Sequence, residues 1–188
     1  MSGIGHNGGP SFEAGHGFRK LAWSKARKAL LPALPLEVVR VRVARAERLG
    51  LPYRTYATIR ATAGRDIVAF LFSGNALGLT ARRIAIPTVE ADRLEGLSGA
   101  AVRLGAVYRA PEAVLAANAA RLEATAEAPA MSVSWGAARA RLRGLLHAHR
   151  LPLDGVVLVA ATGIEAEWCA TAGLAGTIPA ERFFDRQT

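Results

Sequence analysis

Residues 67–72 read Ile67-Val68-Ala69-Phe70-Leu71-Phe72, an unbroken apolar run between Asp66 and Ser73. Such a run predicts a strand buried on both faces, the habit of parallel sheets covered by helices on either side. Residues 156–161, Val-Val-Leu-Val-Ala-Ala, repeat the pattern after the turn-like Pro152, Asp154 and Gly155. Residues 102–108 are a weaker candidate, diluted by Arg103 and Gly105. Helical patterns lie between these runs over 88–97, 111–126 and 135–149, and again over 164–172 after the last of them. Strand and helix in alternation predict an α/β core over residues 66–188. Its expected form is a small parallel sheet of about three strands with flanking helices.

Upstream the character changes. Residues 18–31 predict a basic amphipathic helix with Phe18, Leu21, Ala22, Lys25 and Ala29 at helical spacing, stopped by Pro32 and Pro35. Residues 36–49 follow as a second helix, with Val39, Val43 and Ala46 in one stripe, although the Val/Arg alternation over 39–43 also suits a strand. Gly50 and Pro52 then separate it from a third helix over 53–63, ended by Gly64. The last two helices have a helix-turn-helix outline, which is equally that of any αα-hairpin with surface arginines. Residues 18–65 therefore read as a basic helical region preceding the core. Residues 1–17, with six glycines, read as a flexible leader. Gly3, Gly5 and Gly8 spell G-x-G-x-x-G, but that motif works only after a strand and before a helix, and no strand is expected ahead of Gly3.

The chain has 188 residues, 24 Lys+Arg against 15 Asp+Glu, and a formal net charge of +9. Residues 1–66 hold twelve basic and four acidic residues, a balance of +8; the remainder holds twelve and eleven, a balance of +1. An excess gathered in one third points toward a polyanionic partner, because basic groups release counterions from a phosphate backbone. It also suits docking on an acidic protein, or simple solvation. The bias to Arg over Lys and to Ala suggests a GC-rich, bacterial source. No secretory pattern and no run of ~20 apolar residues is evident, so the expectation is a cytoplasmic protein without a membrane segment. The single cysteine, Cys169, excludes an internal disulfide framework and a multi-cysteine zinc site.

Named catalytic signatures are absent: there is no G-x-x-x-x-G-K-[ST] and no G-x-S-x-G. His6 and His16 lie in the leader, while His147 and His149 diverge by about 200° on a helix and cannot share a metal ion. Glu165 and Glu167 diverge in the same way, and Cys169 reads as a small buried residue. Trp23, Trp135 and Trp168 read as anchors for packing or for a partner, and Asp66 as a residue that caps, pairs with Arg65 or orients a basic neighbour. No cofactor and no metal is expected. Thr162 and Glu165 have capping-box spacing.

Three function classes remain. The leading expectation is nucleic-acid association, with Arg40, Arg42, Arg45, Arg54 and Arg60 contacting phosphates or base edges. The second is an α/β enzyme or binder of a small anionic ligand. Ligands of open parallel sheets bind outside the carboxyl ends of the strands, which selects Ser73, Asn75, Arg109 and Thr162. The third is a non-catalytic subunit whose basic helices dock an acidic protein. Whether any catalysis occurs stays open at this level.

Overall fold

The computed structural model describes residues 34–185. From Arg40 onward they form one compact unit. The expected leader, the helix over 18–31, His6, His16, Trp23 and the glycine motif at Gly3 lie outside the described residues. Two helices come first, α1 (Leu36–Arg48) and α2 (Tyr53–Ala63). The alternation over 39–43 is therefore resolved as helix. Gly50 between them has φ +58°, and a Cβ there would collide with the Arg93 guanidinium that covers it. Only glycine tolerates both conditions.

The chain then alternates as expected: β1 (Ala69–Ser73), α3 (Thr88–Glu95), β2 (Val102–Val107), α4 (Pro111–Ala117), β3 (Ala124–Glu127), α5 (Trp135–Ala148), β4 (Val156–Ala160), α6 (Gly163–Ala166), α7 (Trp168–Ala172), β5 (Gly176–Pro179) and α8 (Ala180–Phe184). The strands form one parallel sheet in the order β3-β2-β1-β4-β5, with Ala69 opposite both Val102 and Val156. The α/β class and the helix-flanked parallel sheet are as the sequence predicts. The strand number is not: the sheet has five strands rather than about three. The missing two are its edges. β3, Ala-Thr-Ala-Glu, overlaps the end of the segment whose composition predicts one long helix over 111–126, and β5 is Gly-Thr-Ile-Pro. Each buries one side chain and so carries no apolar run. The helix expected over 164–172 is likewise broken into α6 and α7.

Alternate residues of the central strands feed two cores. On one face Phe70, Phe72, Val157 and Val159 pack with Leu49, Tyr56, Ile59, Leu94 and Phe183. Phe183 meets Phe70 and Phe72 edge-on at 5.1 and 5.4 Å between ring centroids. On the other face Ala69, Leu71, Val156 and Leu158 pack with Leu142, Leu146, Trp168 and Ala172. Leu49, Tyr56 and Ile59 thus tie the basic hairpin into the same core as the sheet. Arg103, the charge that dilutes β2, is 6% exposed. Its Nη2 donates to Glu123 Oε1 at 2.6 Å and its Nη1 to Leu94 O at 3.0 Å.

Candidate functional site

At the centre of the sheet the adjacent strands β1 and β4 send the chain to opposite faces. From β1 the chain leaves for α3, which packs on the Phe70 face; from β4 it leaves for α6 and α7, and α7 packs on the Leu71 face. In doubly wound sheets a crevice opens at such a point, outside the carboxyl ends of the strands. The loops that border it follow β1, β2 and β4.

The loop after β1 is built by local hydrogen bonds. Ser73 is wholly buried and its Oγ accepts from Ala76 N at 3.1 Å, so its hydroxyl holds the first turn. Thr80 and Arg83 exchange backbone hydrogen bonds at 3.0 and 3.3 Å, and Arg83 Nε donates to Gly78 O at 3.0 Å. Asn118, 1% exposed at the end of α4, clamps the far end of the loop. Its Oδ1 accepts from Ile86 N at 2.9 Å while its Nδ2 donates to Ile84 O at 2.8 Å and Val114 O at 2.7 Å. Nothing in the sequence around Asn118 advertises this, because two of its three partners are backbone groups more than thirty residues away.

Between this loop and the end of β2 lies a pocket of about 250 Å³. Leu79, Ile84, Val107 and Val114 form its apolar wall; Asn75, Thr80, Arg83, Tyr108 and Arg109 supply its polar groups. Arg109 is exposed, and among the described residues no hydrogen bond or ion pair engages its guanidinium. Of the residues selected from sequence, Asn75 and Arg109 line one pocket. Ser73 lies beneath the loop, and Thr162 stands on the β4 side. Tyr108 and Arg83 belong to the same pocket and were not selected.

Thr162 and Glu165 form the expected capping box at the start of α6. Glu165 does more than cap. It is 0% exposed, and its Oε2 accepts from Ala161 N and Thr162 N, each at 3.1 Å. Its Oε1 accepts from Asn75 Nδ2 at 3.0 Å and Tyr108 OH at 3.2 Å. One buried carboxylate therefore joins the loops after β1, β2 and β4. Burial and the Glu165 charge push the Tyr108 phenol up to about 12, so it remains a hydrogen-bond donor through the physiological range.

The basic hairpin is organised around Asp66. Its Oδ2 accepts from Arg45 Nε at 2.9 Å, and its Oδ1 from Tyr56 OH at 2.8 Å and Ile67 N at 2.9 Å. Arg60 Nη1 pairs with Oδ1 at 3.3 Å. Arg45 also donates to Ala100 O at 2.9 Å and Ile67 O at 2.7 Å. Burial raises the Asp66 carboxyl, but the Tyr56 hydrogen bond and the Arg45 charge outweigh it, and its pKa lies below the ordinary value. Of the five arginines selected for nucleic acid, Arg45 and Arg60 are thus engaged with Asp66. Arg40 and Arg54 are exposed, and Arg42 is half-buried.

His147 and His149 are exposed at the end of α5, and Cys169 is half-buried with its thiol pushed up by burial. Among the described residues no group of acidic, histidine and cysteine side chains is arranged to hold a metal ion, and no helix is long and apolar enough to cross a membrane. No family model, curated protein or solved structure matches the chain.

Proposed function

We propose that this chain binds a small anionic ligand in the pocket between the loops after β1 and β2. The observation that carries this reading is Arg109: a guanidinium without a polar protein partner among the described residues, lining a pocket whose wall is otherwise largely apolar. Ligand sites have this composition, an apolar lining with a few convergent polar groups, and arginine recognises carboxylate and phosphate through paired donors. The position supports it as well, since the pocket opens at the carboxyl edge of a doubly wound sheet. The pocket lining contains no carboxylate, thiol or imidazole, which favours binding over acid–base or nucleophilic chemistry.

The reading of the basic hairpin as a nucleic-acid surface draws less support, because Arg45 and Arg60 satisfy Asp66 and two backbone carbonyls instead of pointing their donors outward. Calorimetric titration with small carboxylates and phosphates tests the pocket, and fluorescence anisotropy with labelled DNA and RNA at several salt concentrations tests the hairpin. Saturable binding of a small anion that Arg109→Met abolishes is the expected result. Nucleic-acid binding unaffected by Arg109→Met but lost with Arg42→Ala/Arg54→Ala, with no small-anion binding, refutes it.

A further inference from the structure

We infer that the ligand is a small zwitterion, an α-amino acid or close analogue with a branched or aromatic apolar body. Its ammonium group sits beside Asn75 and Tyr108, and its carboxylate is received by Arg109. This rests on the pocket reading above and adds the chemistry of the occupant. The deciding residue is Glu165, which lies behind the pocket wall. A carboxylate has acceptors only, so both pocket residues that touch it must spend hydrogens on it. Tyr108 has one hydrogen and gives it to Glu165 Oε1, which leaves its oxygen as an acceptor toward any ligand. Asn75 must turn its Nδ2 to the same oxygen, which fixes the amide orientation and leaves Oδ1 without a protein donor among the described residues.

Charge points the same way. Glu165 is wholly buried, and among the described residues no Lys, Arg or His pairs with it. Its four donors are neutral groups, so they supply no counter-charge to the carboxylate. A cation next to Asn75 and Tyr108 relieves that imbalance. Arg109 and Arg83 supply the opposite sign elsewhere in the same lining, while Leu79, Ile84 and Val114 accept an apolar body. A simple anion satisfies the arginines and leaves the exposed Asn75 and Tyr108 acceptors to water. A pocket of about 250 Å³ corresponds to roughly eight waters of liquid at ~30 Å³ each, the scale of a free amino acid and well below that of a dinucleotide.

The test is calorimetric titration of the full chain with leucine and phenylalanine, with the matched acids lacking the amine (4-methylpentanoate, 3-phenylpropanoate), and with the matched amines lacking the acid. The expected result is an amino acid bound at least tenfold more tightly than either partial ligand. Tyr108→Phe, an exposed position where the ring is kept, is expected to weaken amino-acid binding about fivefold and leave the deaminated acid unchanged. In Glu165→Gln, if it folds, the amino acid and the deaminated acid converge to within threefold. A deaminated acid or inorganic phosphate that binds wild type as tightly as the amino acid overturns the zwitterion and leaves the anion-binding reading standing. If none of the three ligand sets and no phosphate binds, both fall.

Discussion

Asn75 Nδ2 lies 3.0 Å from Glu165 Oε1, so a side chain of the first strand's loop is held by a side chain of the fourth strand's loop, ninety residues on. The same oxygen receives Tyr108 from the end of the second strand. Three loops that the sheet brings to one edge are thereby locked by a single carboxylate. Glu165→Ala leaves two backbone amides and two side chains without their acceptor. Each orphaned buried donor costs about 1–3 kcal/mol, relieved wherever water enters. Denaturant unfolding is expected to show a loss of about 3 kcal/mol.

Arg109 stands apart from that lock. Because it is exposed and has no polar protein partner among the described residues, Arg109→Met is expected to leave unfolding within about 0.5 kcal/mol of wild type. A ligand present at a hundred times its Kd stabilises wild type by about 2.7 kcal/mol. The variant is expected to lose that gain, and thermal unfolding with and without ligand separates the two effects.

Asn118 is a positioning residue for the pocket loop. Asn118→Leu keeps the volume but removes the acceptor of Ile86 N and the donors to Ile84 O and Val114 O. A stability loss of about 2–3 kcal/mol is expected. Amide hydrogen exchange is expected to quicken over residues 80–86 more than in the central strands, because the clamp acts on that segment.

Two pH dependences follow from the shifted groups. Asp66 has a folded pKa below its ordinary 3.8, so its contribution is complete above that value and is lost as pH falls through the lower folded value. Asp66→Asn is expected to flatten the stability profile below pH 3.8. Tyr108 has a raised pKa, so its contribution is complete below 10 and is lost as pH rises toward about 12. Phenolate absorbance in wild type compared with Tyr108→Phe reports that titration directly.

Arg103 is the buried charge of β2, and its partner Glu123 also accepts from the Arg103 backbone amide at 2.7 Å. Glu123→Ala leaves the guanidinium without its counter-charge and is expected to cost about 3 kcal/mol, the low end for buried pairs because Glu123 is partly exposed. Replacing both partners, as in Arg103→Met with Glu123→Leu, is expected to recover most of the loss, and a double-mutant cycle measures the coupling.

The central strands were legible because residues 69–72 and 156–160 are buried on both faces, so their composition alone betrays them. The edge strands were not, since Ala124–Glu127 and Gly176–Pro179 bury little and are held as strands by the neighbour each pairs with. Two of the pocket's five polar residues were legible by position, since Asn75 and Arg109 closely follow strands. Thr162–Glu165 was legible as a cap, whereas the second oxygen of Glu165 reaches partners that only the strand order brings near. The arginines of the hairpin showed the limit of counting charge. Arg45 and Arg60 add to the charge count as outward-facing groups would, yet Asp66 draws both inward.

The pairing of β1 with both β2 and β4 has a consequence during biosynthesis. When residues 69–127 have left the ribosome, β1, β2 and β3 can assemble, yet the β4-facing edge of β1 still has no partner. Until Val156–Ala160 emerges, the newborn chain carries an open strand edge flanked by Phe70 and Phe72, a template for joining other chains. Chaperone shielding of nascent chains is therefore expected to matter most for intermediates halted between the third and fourth strands.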